Sequence, residues 1–321
     1  MTSTAKPRIV IVRGSVGSPG AAAFINELKR SGAKVVGLDN NPLSSGLYIS
    51  DKGYLVPKGN DPKLLTEIIK ICNIENPDVI ISTSEDEVLA LSKQKELFAK
   101  KGILLLCPDY DIVRICRDKL ETHKILRKYD IPTPELYEKD KAKFPCIIKP
   151  QFGKGAIDVF KVENKNEFEF YLRKVKHPVI QEFVKGDEYS IDVLSDLNGK
   201  PISIVPRLRI QVESGISMKG MIVADKKIIK YCDYIARKLK LVGLSCIQCI
   251  KNDQGIKFIE INTRFGGGSI LSIKADPTII PNLMRIIKGK KPLKSGKLKN
   301  GLTMLRYYNE IFITKDKLLQ K

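Results

Sequence analysis

The sequence predicts an α/β, doubly wound leading domain followed by an α+β region rich in hairpins. Three observations carry this expectation. An apolar run, a glycine-rich loop, a helical pattern and a second apolar run follow one another over residues 9–39. At Asp118 the texture changes, from alternating strands and helices to strands joined by turns. Two turn signals, Asn198-Gly199 and Asn252-Asp253-Gln254-Gly255, each separate apolar strand-like segments.

The elements follow in order. Ile9–Val12 is continuously apolar, as a strand covered on both faces must be, and runs into Arg13-Gly14-Ser15-Val16-Gly17-Ser18-Pro19-Gly20. Ala22, Phe24, Ile25 and Leu28 recur at helical spacing, and after Gly32 comes Val35-Val36-Gly37-Leu38-Asp39. Strand, glycine loop, helix and strand make a βαβ unit, hence a parallel sheet. A helix over 64–72, a third strand over 79–82, a helix over 87–100 and a fourth strand over 103–106 complete a first domain, 1–112. The second, 113–321, opens with a helix carrying Lys119, His123 and Leu126. Ile131-Pro132-Thr133-Pro134 follows, an extended link because a residue before proline is kept out of the helical region. Strands are predicted over 146–149, 156–162, 179–184, 189–195, 202–210, 244–251 and 256–262, with a closing strand near 304–308. Helices are predicted over 168–175, 228–239 and 279–287, and residues 143–184 form a small subdomain of their own.

Composition removes several classes. A chain of 321 residues has room for two or three cores, and 43% hydrophobic with 29% charged residues excludes disorder. No apolar run reaches the ~18 residues of a membrane span. The polar start leads straight into a strand, which predicts no secretory signal and a cytoplasmic protein. Seven scattered cysteines, an odd number, fit a reducing compartment. Cys246 and Cys249 form a CxxC inside an apolar run and read as core residues, with no second pair to complete a zinc site. The net charge of +20 reads as lysine-rich surface plus a cationic nucleotide site; no long basic run or aromatic–basic stripe supports nucleic acid. His123 and His177 lie in charged surroundings and read as surface residues, which excludes Ser/His/Asp and Cys/His catalysis.

The Gly14–Gly20 loop, with Asp39 ending the second strand, suits a dinucleotide or a plain tight turn equally, since it departs from GxGxxG. More specific is Ile147-Ile148-Lys149-Pro150, a strand delivering one lysine to Gln151-Phe152-Gly153-Lys154-Gly155-Ala156. Small residues let backbone amides approach phosphate oxygens, and ammonium groups cancel their charge. The backbone of Val179-Ile180-Gln181-Glu182-Phe183-Val184 suits an adenine edge, and Glu188, beyond Gly186, suits ribose hydroxyls. Alternation puts Phe258, Glu260 and Asn262 on one strand face, where a carboxylate and an amide oxygen are hard ligands fit for Mg²⁺. Gln248 joins that face if the hairpin carries a one-residue bulge. Arg207, Arg209 and Lys219 form either a phosphate-facing cluster or a solvated edge.

The order of these motifs resembles the ATP-grasp superfamily, in the branch of the carbamoyl-phosphate synthetase large chain. The likeness runs through Ser84-Glu85-Asp86-Glu87, Arg117-Asp118-Lys119, FPCIIKP, FGKGAIDV, VIQEFVKGDEYSIDV, PRLRIQVESGISMKG, CIQC and FIEINTRFGGG. It implies a Rossmann-like (pre-ATP-grasp) domain followed by an ATP-grasp fold whose two subdomains grip ATP. It implies Lys119 and Lys149 at the phosphates and Gly153, Lys154, Gly155 and Ala156 in a mobile lid. Glu182, Phe183 and Val184 would form the adenine hinge, with Glu188 at the ribose. Gln248, Glu260 and Asn262 would hold Mg²⁺, with Mn²⁺ the alternative ion; Gln248 stands where some members have Glu. Arg264, Arg207 and Arg209 would grip acyl phosphate and substrate, Lys219 being grouped with them. The implied activity joins a small-molecule carboxylate to an amine through an acyl phosphate, releasing ADP and phosphate. A homo-oligomer is compatible with this; membrane and nucleic acid are not implied. The chain is too short for a complete carbamoyl-phosphate synthetase, so carbamoyl phosphate is not the expected product. Two other readings remain at this level: a nucleotide-binding protein without turnover, and an NAD(P)-dependent enzyme built on the first domain.

Overall fold

The computed structural model describes residues 8–12, 16–59, 61–153 and 155–320. The first part is a parallel sheet of β1 (Arg8–Val12), β2 (Lys34–Asp39), β3 (Lys52–Leu55), β4 (Val79–Ser82) and β5 (Leu104–Leu105), in the order β3-β2-β1-β4-β5. Around it lie α1 (Pro19–Arg30), α2 (Ser45–Ile49), α3 (Leu64–Glu75), α4 (Glu85–Ser92), α5 (Lys95–Lys100) and α6 (Tyr110–Arg117). The sequence reading had neither α2 nor β3. The latter is an edge strand, KGYL, with no fully buried residue, so it lacks the apolar run that betrays its neighbours. The helix expected over 87–100 is two helices: Gln94 N–H turns back to Leu91 O, and Ser92 Oγ donates to Leu89 O at 3.0 Å, loosening the last turn of α4.

Asp118 caps α7 (Lys119–Lys128), its carboxylate accepting from the N–H groups of Leu120 and Glu121. A three-stranded antiparallel sheet then forms from β6 (Cys146–Pro150), β7 (Phe160–Val162) and β8 (Pro178–Glu182), ordered β7-β6-β8 and covered by α8 (Lys165–Lys174). Its small core includes Cys146, Ile148, Val162, Phe168 and Ile180. The strand expected from residue 156 begins only at Phe160, because Ala156 and Asp158 take φ of 59° and 56°.

The largest sheet is antiparallel, ordered β13-β12-β9-β10-β11-β14. Its strands are β9 (Asp187–Ser195), β10 (Pro201–Glu213), β11 (Ile216–Ile222), β12 (Gly243–Asn252), β13 (Gly255–Asn262) and β14 (Thr303–Leu305). The amphipathic α9 (Lys226–Lys238) buries Ile228, Cys232 and Ile235 against Ile191, Ile247 and Phe258. Cys246 and Cys249 are both buried in β12, and burial pushes each thiol up to about 12, so the CxxC is core. His177 is exposed as expected, but His123 is half-buried, its Nε2 3.1 Å from Pro134 O. Among the described residues, no helix is long and apolar enough to cross a membrane.

The leading domain and the large sheet share one core. Phe24, Ile25 and Leu28 of α1 pack with Val205, Leu244 and residues of α10 (Ser269–Ala275) and α11 (Ile279–Ile287). Phe24 meets Phe265 edge-on with centroids 6.0 Å apart. Gly20 is obligatory there, because a Cβ would lie 2.5 Å from Gly267 O.

The loop carrying Gly267 is fixed by a buried ion pair. Arg207 Nε and Nη2 donate to Asp192 Oδ2 and Oδ1 at 2.8 and 3.2 Å. Ser272 Oγ and Gly266 N–H donate to the same carboxylate at 2.7 and 3.3 Å. Both charged side chains are essentially inaccessible, so removing one strands the other in a dry site. Asp192→Asn should cost about 3–5 kcal/mol in urea denaturation. A loss under about 1 kcal/mol would mean that water reaches Arg207.

Candidate active site

A cleft of about 750 Å³ runs between the leading domain, the three-stranded sheet and the large sheet. Its floor is the β12–β13 hairpin. Gln248 pairs with Glu260 and Cys249 with Phe258, so Ile259 is the extra residue of a bulge. This is the condition under which the sequence reading let Gln248 share that face, and Gln248, Glu260 and Asn262 all line the cleft. Asn262 Nδ2 lies 3.4 Å from Gln248 Oε1, and Gln248 Nε2 donates to Glu188 Oε1 at 3.1 Å. One carboxylate and two amides side by side, with Glu188 next to them, are a hard-oxygen donor set that fits Mg²⁺.

Facing this floor is Lys149 of β6, 8% exposed. Burial pushes its ammonium down to about 8 against the pull of Glu260, and Lys119 pushes the same way. Lys119 Nζ donates to Gly153 O at 3.1 Å, while Asp118 accepts from Gln151 Nε2 at 2.8 Å. The start of α7 therefore holds the segment leaving β6. Gly155 takes φ of +65° and sits against Gly215, where an added Cβ would come within 2.7 Å of the Gly155 carbonyl carbon. Lys154 lies outside the described residues, and Ala156 is exposed on the cleft rim.

At the far end of the cleft are Glu182, Phe183 and Val184. The Glu182 carboxylate is already engaged: Lys257 Nζ donates to it at 2.5 and 2.6 Å and Glu135 N–H at 2.9 Å. Burial alone would raise that carboxyl, but these bonds outweigh it and hold it below the usual range. What this segment offers a ligand is thus backbone and the Phe183 ring, over which Lys161 Nζ lies at 4.4 Å. Glu188 is ion-paired to Arg209, whose Nη2 also donates to Gly215 O at 2.9 Å.

Arg264 Nη2 donates to Glu85 Oε1 at 2.8 Å and approaches Asn262 Oδ1 at 3.4 Å, while Nη1 donates to Phe265 O. Burial raises the Glu85 carboxyl, opposed by Arg264 and reinforced by Glu260. Arg207 and Arg209 line the cleft with Arg264. Lys219 does not join them: a register shift after Arg209 sets it opposite Gln211 and Leu305, with its side chain exposed. Sequence reasoning missed the partners more than the principals. Asp192, Lys257 and Arg306, whose Nη2 donates to Gly267 O at 3.0 Å, were not singled out. A charge within Ser190-Ile191-Asp192-Val193 was a readable sign of a buried pair; Arg306 carried no such sign.

A doubly wound domain stacked on two antiparallel sheets thus brings lysines, arginines and hard-oxygen donors together in the cleft between them. Comparison with known proteins is direct. Residues 116–268 match the family model of the ATP-grasp domain, and residues 16–106 that of the PylC-like N-terminal domain. A carbamoyl-phosphate synthase of Methanobrevibacter smithii is 24% identical over 76% of this chain and 71% of its own length. A 3-methyl-D-ornithine–L-lysine ligase of Methanosarcina acetivorans is 28% identical over 76% of this chain and 63% of its own. Among solved structures, the biotin carboxylase domain of Hydrogenobacter thermophilus 2-oxoglutarate carboxylase, in complex with MgADP, ADP and bicarbonate, has the same fold. It superposes with a TM-score of 0.72 over 92% of this chain and 73% of that one, at 15% identity. The chain thus carries an ATP-grasp domain preceded by a PylC-like N-terminal domain.

Two measurements probe this geometry. Gly155→Val forces a β-branched residue into positive φ at an exposed loop, so turnover should fall roughly tenfold or more while the melting temperature moves by only a few degrees. Equal loss of both would make Gly155 a plain structural turn. Lys149 is neutral in the fold and still charged in the unfolded chain between about pH 8 and 10.5, so it makes stability rise with pH across that window. Lys149→Met lacks this contribution. The stability gap between wild type and variant should therefore shift in favour of wild type from pH 8 to 10.5; a gap independent of pH would show the ammonium to be solvated.

Proposed function

We propose that this ATP-grasp enzyme is a carboxylate–amine ligase that activates an acid as its acyl phosphate and releases ADP and phosphate. The observation that supports it most is the meeting, in one cleft, of buried Lys149 with Glu260, Asn262 and Gln248. An attacking carboxylate and a triphosphate repel one another, and a site that brings them together must supply positive charge on several sides.

In this reading the division of the chain is 1–112 and 113–321, with 143–184 as the lid subdomain. Lys149 and Lys119 take the phosphates, and Gly153–Ala156 close over them. Glu182, Phe183 and Val184 receive adenine through backbone and ring contacts, and Glu188 takes ribose hydroxyls in exchange for its bond from Gln248. Gln248, Glu260 and Asn262 would hold Mg²⁺, which supplies charge neutralisation at the transferring phosphoryl group; Mn²⁺ has the same ligand preference for oxygen. Arg264 and Arg209 face the side of the cleft where the acid and its phosphorylated form lie, and Arg207, held by Asp192, stands behind them against Gly266 and Gly268. The amine then displaces phosphate. No histidine takes part: His177 is exposed and the half-buried His123 is bonded to Pro134 O. A dinucleotide on the first domain is disfavoured because Gly267 packs onto α1 at Gly20, where a pyrophosphate would have to sit. Seven free, buried cysteines accord with a reducing, cytoplasmic setting.

A panel of organic and amino acids paired with amines, read by ADP release, tests the reaction class; AMP and pyrophosphate as products would overturn it. Glu260→Gln keeps size and hydrogen bonding but removes the charge that holds the cation. Turnover should fall by roughly two or more orders of magnitude with the melting temperature almost unchanged. Asn262→Ala should act more mildly. A Glu260→Gln enzyme turning over at near wild-type rate across a magnesium series would place the cation elsewhere.

A further inference from the structure

We propose that the loop from Lys288 to Lys299, together with the start of α9, binds single-stranded nucleic acid at a surface separate from the ligase cleft. Six of these twelve loop residues are lysines, and no acid occurs from Pro277 to Asn309. Gly, Pro, Leu and Ser interrupt the lysines, so the sequence shows no long basic run here. All six are exposed, and none has a carboxylate partner among the described residues. None lines the cleft, so a nucleotide bound there leaves this charge uncompensated.

The loop is held in place although it has no regular structure. Buried Asn282 of α11 accepts from Leu293 N–H at 2.6 Å and donates to Leu293 O at 3.2 Å. Arg285 Nε donates to Lys291 O at 2.6 Å, Ser295 Oγ to Asp276 at 2.8 Å and Lys299 N–H to Ala275 O at 3.2 Å. A backbone fixed in advance loses less entropy when its side chains meet a partner. The loop ends beside α9, where Ala224 N–H donates to Asn300 Oδ1 at 2.8 Å. Lys226, Lys227 and Lys230 are exposed there and equally unpartnered, at the helix end whose dipole is already positive. The neighbouring acids are engaged elsewhere: Asp225 by Lys251, and Asp276 by Ser203, Thr278 and Ser295.

The segment after β14 indicates which polyanion fits. It exposes Tyr307 by 82%, Tyr308 by 74% and Phe312 by 91%. Proteins that hold single strands join a cationic track for the phosphates to rings on which bases stack. Tyr307 follows Lys299 by eight residues, at most about 29 Å of extended chain. That is within the reach of a site of about 4–16 nucleotides. Lipid fits less well, because sinking Tyr308 and Phe312 into acyl chains would take Asn309 and Glu310 with them. A second copy would bring like charges together, and protein interfaces are depleted in lysine. The loop contains no arginine to read a base edge, so its contacts are to phosphate and carry no sequence preference.

The test uses the full chain and a labelled oligouridylate of about 20 nucleotides, followed by fluorescence anisotropy from about 50 to 200 mM salt. The oligomer should bind in the micromolar range at low salt, with log affinity falling against log salt by about 0.7 per lysine engaged. Replacing Lys290, Lys291, Lys294 and Lys297 together by Gln should weaken binding by roughly tenfold or more and flatten the slope, with the melting temperature unchanged. Phe312→Ala should weaken it roughly fivefold or more at the same slope, since stacking releases no counterion. Saturating MgADP should leave oligouridylate binding as it is. Displacement by MgADP would put the strand in the ligase cleft and overturn the inference. Equal affinity of wild type and lysine variant, or tighter binding of a duplex of the same length, would also overturn it. So would phosphatidylglycerol vesicles or polyglutamate bound as tightly as oligouridylate, which would make the surface a lipid or acidic-protein site.

Discussion

The carboxylate of Asp192 is the constraint on which the cleft depends. It accepts from Arg207 on the next strand, from Ser272 in α10 and from the backbone of Gly266. Three separate pieces of chain are thereby fixed to one buried charge on β9. Remove it and the loop 266–268 loses its anchor, α1 loses the surface against which Gly20 packs, and Arg264 loses its approach to Glu85. A buried pair of this kind adds little net stability by itself, since desolvation offsets most of the attraction; its effect is to allow one arrangement and penalise the rest.

The electrostatics of the cleft follow from that arrangement. Lys149 is held where its charge is costly, which is the condition under which an ammonium interacts most strongly with an incoming anion. The acids are distributed rather than massed: Glu182 and Glu188 are each tied to a cation, Glu260 sits with two amides, and Glu85 bridges to Arg264. Lys149 and Lys119 lie close enough to repel one another on the β6 side of the cleft, and that is where an anion meets concentrated positive charge.

Much of this was legible in the sequence because the signals were local. The βαβ start, the β12–β13 hairpin and its bulge, and the glycine segment after Lys149 are short-range patterns, and each lies where the residues place it. Edge strand β3 and the break between α4 and α5 were not legible, because neither carries a periodic apolar signal. Lys219 shows the limit of alternation: one register shift after Arg209 removed it from the cleft. Partnerships were the least readable. Lys257 with Glu182, Arg306 with Gly267, and Arg264 with Glu85 join residues 75, 39 and 179 positions apart, and no sequence window contains both members.

The shared core beneath α1 bears on how such an enzyme changes over time. Because Phe24, Ile25 and Leu28 interdigitate with Leu271, Ile273 and Leu283, the leading domain is not a detachable module. Grafting it from one relative to another would leave mismatched knobs and hollows on both sides. New specificity is therefore more accessible through exchange of the short loop that ends β4, whose Thr83 and Ser84 line the cleft without belonging to that core, than through recombination of whole domains.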